Sequence, residues 1–355
     1  MNATPDSLQT LAPRWLGSLL LMALLVLLFF TAITTGSITI PSGEIYSILI
    51  GKASSSEAWQ RIVLEIRLPR AITSILAGSA LAVSGLLLQT LFRNPLAGPS
   101  VLGITSGASL GVAAFMLASG GSVGFVTAQR LGLAGSWAAI LSATAGAALV
   151  MAIILLVSVR VRDSITLLIV GLMVGNITLS AVSIWQYFSA PERIRDYLMW
   201  TFGSMAGVTN AQLAVLAPVV ILGLIAAGLK GKTFNALLLG DDYARSLGVG
   251  VKSSRVLIVG LTSILAGSIT GFCGPIAFIG IAVPHLARSM YGSSNHHLIT
   301  PACILIGAVV LLGCDILAQV PGSSINLPIN AITTLVGSPV VVYVVLHGKN
   351  LRHAF

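Results

Sequence analysis

The chain has 355 residues, of which 56% are apolar and only 8% charged, with a net charge of +9 and a mean hydropathy of +0.98. A soluble domain carries about 25% charged residues, so this chain cannot cover a water-facing surface, and a soluble globular enzyme is excluded. The positive balance suits basic loops on the inner side of a membrane rather than nucleic-acid binding. A membrane-crossing helix needs roughly 20 apolar residues for the ~30 Å hydrocarbon core. Apolar windows predict ten spans, at about 15–35, 71–91, 99–119, 134–158, 165–188, 211–229, 255–272, 275–290, 299–319 and 327–347. The expected fold is therefore an all-α polytopic membrane protein, one transmembrane domain over residues 1–355.

The first apolar run is too long for the core of a cleavable signal, and 31–37 offers no clean small-x-small site, so it reads as a retained helix. Spans at 99–119 and 275–290 are weak or glycine-rich. The 37 glycines and 6% aromatics fit helices in close backbone contact. With ten spans and the N-terminus inside, Arg14, Arg93, Arg160, Arg162, Lys230, Lys232, Arg245, Lys252, Arg255, Arg288, Lys349 and Arg352 face the cytoplasm. Lys52, Arg61, Arg67, Arg70, Arg130, Arg193 and Arg195 then face outward. That distribution supports both termini inside, while the outer cluster at Arg61, Arg67 and Arg70 opposes it and requires its own explanation.

The heptapeptide TSILAGS occurs at 73–79 and again at 262–268, and Gly85 and Gly274 keep the same offset of 189. Five predicted spans separate the copies, so they cross the membrane in opposite directions, the mark of an inverted-topology repeat.

No catalytic constellation is present. Cys273, Cys303 and Cys314 lie in apolar stretches without CxxC spacing and read as small core residues. The histidines are dispersed. The pair His296 and His297 offers a metal site in principle but reads as part of a solvated loop. Gly231, Lys232 and Thr233 match the end of a phosphate-binding loop, but Ala226 stands where its first glycine belongs. ATP binding by this chain is rejected. Asp315 is the only acid inside a span. It is a candidate proton or cation site, which would make the chain an ion-coupled secondary transporter. Its place near the outer end of its span equally suits a structural role. The loop 233–255 reads as two short helices broken at Gly240 and Gly248, with Leu237, Leu238, Leu239 and Leu247 among Asp241, Asp242 and Arg245. Such a pair is either a docking surface for a soluble partner or a loop packed on its own spans.

Three segments together resemble the FecCD family: RLPRAITSILAGSALAVSGLLLQTLFRNPLAGPSVLGITSGASLG (67–111), ALLLGDDYARSLGV (236–249) and GPIAFIGIAVPHLAR (274–288). The similarity runs over essentially the whole chain. It implies a ten-helix permease subunit of a type II ABC importer for ferric siderophores, haem or cobalamin. Two permease copies would pair with two ATPase subunits in a bacterial cytoplasmic membrane, and a soluble binding protein would deliver the substrate. ATP and Mg would be bound by the ATPase, leaving this chain without cofactor or metal. The resemblance assigns binding-protein docking to Arg67 and Arg70, against a bland alternative of headgroup snorkelling. It assigns ATPase coupling to Leu238, Leu239, Gly240, Ala244, Arg245, Leu247 and Gly248. It places an inner gate at Asn94, Pro95, Leu96 and Ser164, and a path along Asn176, Thr178, Ser180 and Ser183. By family frequency the resemblance makes ferric siderophore the leading cargo, then haem, then cobalamin, and these path residues offer no axial ligand for haem iron. Two departures stand out: Gln319 replaces a docking arginine, and NLPIN at 326–330 replaces ELPVG or ELPIG.

Overall fold

The computed structural model describes residues 14–52, 55–100, 103–118, 133–160, 164–319 and 326–347. Arg130, Arg162, Lys349 and Arg352, used above for orientation, lie outside the described residues. The helices in chain order are α1 (Arg14–Thr34), α2 (Ser42–Leu49), α3 (Glu57–Phe92), α4 (Ile104–Ala113, continued by a π turn at Ala114–Ala118), α5 (Leu133–Arg160), α6 (Ser164–Tyr187) and α7 (Pro191–Thr201). There follow α8 (Asn210–Leu229), α9 (Gly231–Leu238), α10 (Asp241–Ser246), α11 (Val251–Cys273), α12 (Ile279–Tyr291), α13 (His296–Ala318) and α14 (Ile329–His347).

Among the described residues, seven helices are long and apolar enough to cross a membrane: α1, α3, α5, α6, α8, α11 and α13. The other three apolar windows hold the shorter α4, α12 and α14. The chain is all-helical among the described residues, apart from one isolated antiparallel bridge between Gln319 and Asn326.

Local chemistry sets the boundaries. Thr209 and Gln212 close a reciprocal capping box that starts α8. Asn295 caps α13 by accepting the His297 backbone N–H at 3.0 Å. At 203 and 274 the left-handed glycines meet: a Cβ on Gly274 would lie 2.6 Å from the Trp200 carbonyl. That contact and the Ser204 N–H bond to Cys273 O (2.8 Å) explain why the window at 275–290 begins with irregular backbone and becomes helical only at Ile279. The amphipathic α7 is seated by buried Tyr197. Burial holds the Tyr197 phenol above its ordinary value, against an opposing hydrogen bond with Ser109.

α3 is the hub. Of its apolar window 83% is buried, against 17% for α1, so α3 packs on protein and α1 faces lipid. Small residues permit this centrality, because they let helix axes approach until backbones touch. A Cβ on Gly78 would lie 2.0 Å from the Gly307 carbonyl of α13, and one on Gly85 1.6 Å from the Gly280 carbonyl of α12. The Ser79 hydroxyl adds a bond to Ile304 O at 3.0 Å. α4 and α5 meet in the same way through Gly107, Gly111 and Gly146. The two TSILAGS copies fall on α3 and α11, with Thr73 and Thr262 both fully buried. Their equivalent glycines face long helices of the other half: Gly78 meets α13, and a Cβ on Gly267 would touch Ala147 of α5 at 3.5 Å.

Candidate docking and translocation site

At one end of the bundle, the chain of α3 runs through a π turn, Ile62–Arg67, before the regular helix Leu68–Phe92 begins with Pro69 in its first turn. The wide turn, a feature that often accompanies functional positions, ends on Arg67, which is only 6% exposed. Its Nη1 donates to Ile33 O (2.8 Å) and Thr34 O (3.0 Å), and its Nη2 to Ile38 O. The last carbonyls of a helix have no partner within it and carry negative partial charge. Arg67 therefore caps α1. Gly36 makes room for the cap, since a Cβ there would lie 2.8 Å from Arg67 Nη2. This corrects the reading of Arg67 as an outward docking charge: the guanidinium is buried and committed to three carbonyls.

Arg70, one turn further, faces Asp315 of α13. Its Nε donates to Asp315 Oδ2 at 3.0 Å and Oδ1 at 3.1 Å, and its Nη2 to Oδ1 at 2.9 Å, a fork-on-fork pair. Asp315 is 1% exposed and the Arg70 side chain 12%. Gln319 completes the cluster, donating from Nε2 to Asp315 Oδ2 at 3.2 Å, and Arg70 Nη1 reaches Asn326 Oδ1 at 3.5 Å. The two departures from the family pattern thus sit in one network, and Gln319 points inward at Asp315. The pair forms one wall of a depression also lined by Met199, Phe202, Met205 and Leu327. Asp315 is held by a guanidinium, which is a structural tie and removes it as a carboxylate offered to a transported cation. Among the described residues, Lys52, Arg61 and Arg195 are the exposed members of the group of cations that the sequence reading places outward.

On α6, Asn176, Ser180 and Ser183 lie exposed, and the first two line a shallow depression with Met173, Ile177 and Ile184. Thr178 does not join them. It is 6% exposed, turned into the chain, with its hydroxyl on Gly175 O at 2.7 Å. Residues 100° apart per step on a helix cannot all share one face, which is why 176, 180 and 183 separate from 178. The backbone of Ser164 opens α6, while its side chain lies outside the described residues.

At the opposite end of the bundle, α3 stops at Arg93 in a left-handed conformation (φ 44°). Asn94 Oδ1 then accepts the Leu96 N–H at 2.9 Å, an Asx turn. Leu96 is 44% exposed. His285 of α12 bonds to Pro95 O at 2.8 Å and fastens the turn. The sequence does not single out His285 for this role; its signal was the run GPIAFIGIAVPHLAR, in which it follows Pro284.

The coupling segment forms the two short helices expected, α9 and α10, with left-handed breaks at Gly240 (φ 107°) and Gly248 (φ 77°). α11 already begins at Val251, so Arg255 belongs to it and pairs with Asp241 at 2.6 Å, holding α10 beneath α11. Leu239 (64%), Tyr243 (53%) and Leu247 (58%) form an exposed apolar edge, flanked by the exposed Arg245–Asp242 pair at 2.6 Å. Leu238 is half-buried. Ala244 is fully buried on the reverse side of α10, so it packs α10 onto the chain and is corrected as a docking contact. His296 is also not in a solvated loop. It is 1% exposed at the start of α13, bonds through Nε2 to Thr90 Oγ1 at 2.9 Å, and meets the Phe234 ring edge-on at 5.4 Å. Among the described residues no cluster of three metal-ligating side chains exists.

The family model described as the FecCD transport family matches residues 24–347. The chain is 35% identical over 343 residues to the vitamin B12 import system permease protein of Klebsiella pneumoniae, covering 96% of each. It is 32% identical over 333 residues to the hemin transport system permease protein of Yersinia pestis, covering 94% of this chain and 96% of that protein. Among solved structures it is similar to a metal-chelate type ABC transporter in an inward-facing conformation, with a TM-score of 0.79, 26% identity, and coverage of 95% of this chain and 99% of that one. With a family match over nearly its whole length, the chain belongs to the FecCD transport family.

Proposed function

We propose that this chain and a second copy of it form the membrane pathway for a large metal chelate, which crosses by alternating access. Family membership makes the chain a permease subunit of an ABC importer, with ATP hydrolysis performed by separate ATPase components and substrate brought by a binding protein. The finer reading is two permeases with two ATPases in a bacterial cytoplasmic membrane, both termini inside, with ATP and Mg on the ATPases. The observation that carries it is the exposed edge Leu239, Tyr243 and Leu247 on two short helices, in a chain whose one phosphate-loop-like run lacks its first glycine at Ala226.

The cargo is a ferric siderophore, haem or cobalamin. The vitamin B12 and hemin permeases among the relatives support the class. The exposed amide and hydroxyls of Asn176, Ser180 and Ser183 offer a path surface with no histidine or cysteine ligand. The ligand that the partner binding protein retains on purification distinguishes the three. For docking of that protein, Arg70 borders the outer depression, and exposed Lys52, Arg61 and Arg195 supply a steering field.

The test is substitution of Leu239→Asp and Leu247→Asp. A charge buried without a partner at an interface costs about 3–5 kcal/mol, so either variant should release the ATPase from the purified complex and abolish uptake. Full complex yield with full uptake in both variants would refute this coupling surface, and ATP hydrolysis by the purified chain alone would refute the subunit assignment.

A further inference from the structure

α9 is fastened to α13 by contacts that the exposed coupling edge does not use. Asn235 Oδ1 accepts the His296 backbone N–H at 2.8 Å, and Asn235 Nδ2 donates to Asn295 Oδ1 at 2.9 Å. The first amides of a helix have no partner within it, so Asn235 gives α13 a second cap, supplied from another helix. Next to it, fully buried Phe234 meets the His296 ring, and a Cβ on Gly231 would lie 3.2 Å from the His297 ring. His296 in turn bonds to Thr90 of α3. By contrast, the covalent routes from α9 lead through Lys230 into α8 and through Gly240 into α10 and α11, and neither leads directly into α13.

α13 then runs 23 residues, about 34 Å at 1.5 Å per residue. It is seated on α3 at Gly307 and ends its last turn with Asp315 in the outer depression. One helix therefore has the coupling segment bonded to its first residue and the outer vestibule at its last turn.

We propose that Asn235 is a positioning residue that makes α9 and α13 one rigid body, so that motion imposed on the Leu239–Tyr243–Leu247 edge reaches the outer vestibule through α13. The proposal rests on the permease reading. Without Asn235, the hydrogen bonds that fasten α9 to α13 are lost and only the ring contacts of Phe234 and the approach of Gly231 remain, so motion of α9 reaches α13 weakly. The role concerns transmission, and ATPase attachment stays with the exposed edge.

The experiment uses the assembled complex with its ATPase. In Asn235→Ala, ATPase yield and complex melting temperature should stay near wild type, while uptake per ATP hydrolysed falls about tenfold, the change expected when a joint of two neutral hydrogen bonds is lost. Asn235→Asp keeps an acceptor for the His296 N–H and should recover most of the uptake per ATP. A merely structural residue would instead lower yield, hydrolysis and uptake together. Spin labels at Lys232→Cys and Leu317→Cys, both exposed while the three native cysteines are buried, read the joint with Asn235 intact. Their separation should hold within about 2 Å through the ATP cycle, because a slip of one helix past another is a step of ~5 Å. Unchanged uptake per ATP in Asn235→Ala, equal loss in the Ala and Asp variants, or a label separation that changes by such a step overturns the proposal. If Asn235→Ala does not assemble, the label pair decides alone. A wild-type chain that retains no ATPase overturns the permease reading itself, before any variant is compared.

Discussion

Replacing Asp315 by Asn removes the carboxylate that takes three short contacts from the Arg70 guanidinium. Breaking a buried ion pair typically costs about 3–5 kcal/mol, because the remaining charge is left desolvated. Arg70 keeps 12% of its side chain exposed and an asparagine keeps one acceptor oxygen, so Asp315→Asn should cost less, about 2–3 kcal/mol. Arg70→Met is the harsher change. It strands a carboxylate that is 1% exposed with only the neutral partners Ser74 and Gln319, for about 3–5 kcal/mol. The double variant Arg70→Met with Asp315→Leu should lie well above the sum of the singles, since replacing both members by apolar groups is often near neutral. Unfolding titrations of wild type, Arg70→Met, Asp315→Leu and their double variant in mixed micelles give the coupling energy directly. A coupling of at least about 2 kcal/mol is expected, and one below about 0.5 kcal/mol would refute the pair as a structural tie. Uptake per folded Asp315→Asn complex should remain ATP-driven. Its loss, together with proton dependence of the wild type, would restore Asp315 as an ion-coupling site.

Gly85→Ala places a methyl 1.6 Å from the Gly280 carbonyl and should cost at least about 3 kcal/mol, since overpacking against backbone cannot relax. Gly313→Ala meets nothing within 4 Å and should be tolerated; equal folded yields of the two variants would undo the packing argument. Gly36→Ala and Arg67→Gln should both loosen α1, seen as faster proteolysis or exchange at residues 31–38, with a cost of about 1–3 kcal/mol for unsatisfied carbonyls. Protection of that segment unchanged in both would return Arg67 to the docking surface. Reversal of Lys52, Arg61 and Arg195 to Glu should slow association of the binding protein at low salt at least about tenfold and flatten its salt dependence, because exposed charges act within a Debye length of ~8 Å. Unchanged rates across a salt series would assign these three residues to the membrane surface instead.

The apolar windows located the spans because hydropathy over 20 residues is a property of consecutive sequence. The same measure is blind to α2 and α7, whose polar and charged positions average away what Ile45, Ile48 and Tyr197 bury. It also placed the first central helix at 71, whereas α3 begins at Glu57. The coupling helices were legible from Gly240 and Gly248, since a left-handed φ is a demand that a single residue type announces. Arg67 and Arg70 were read alike because both are arginines beside Leu68 and Pro69. Their separation into a helix cap and an ion pair depends on residues 34 and 245 positions away, and on a π turn that apolar patterning does not encode. The joint at Asn235 was invisible for the same reason: its partners lie 60 and 61 residues on.

The length of α3 carries a consequence for the bilayer. At 36 residues it measures about 54 Å, and to fit wholly within a ~30 Å hydrocarbon core it would need a tilt near 56°, beyond the 0–40° range of such helices. The regular segment Leu68–Phe92, 25 residues or about 37 Å, fits with a tilt of about 36°. Residues 57–67, with exposed Glu57, Arg61 and Glu65, therefore stand above the hydrocarbon like a post. The π turn marks the waterline. A thicker bilayer would submerge those charges, so this permease should lose activity in long-chain lipids sooner than in short-chain ones.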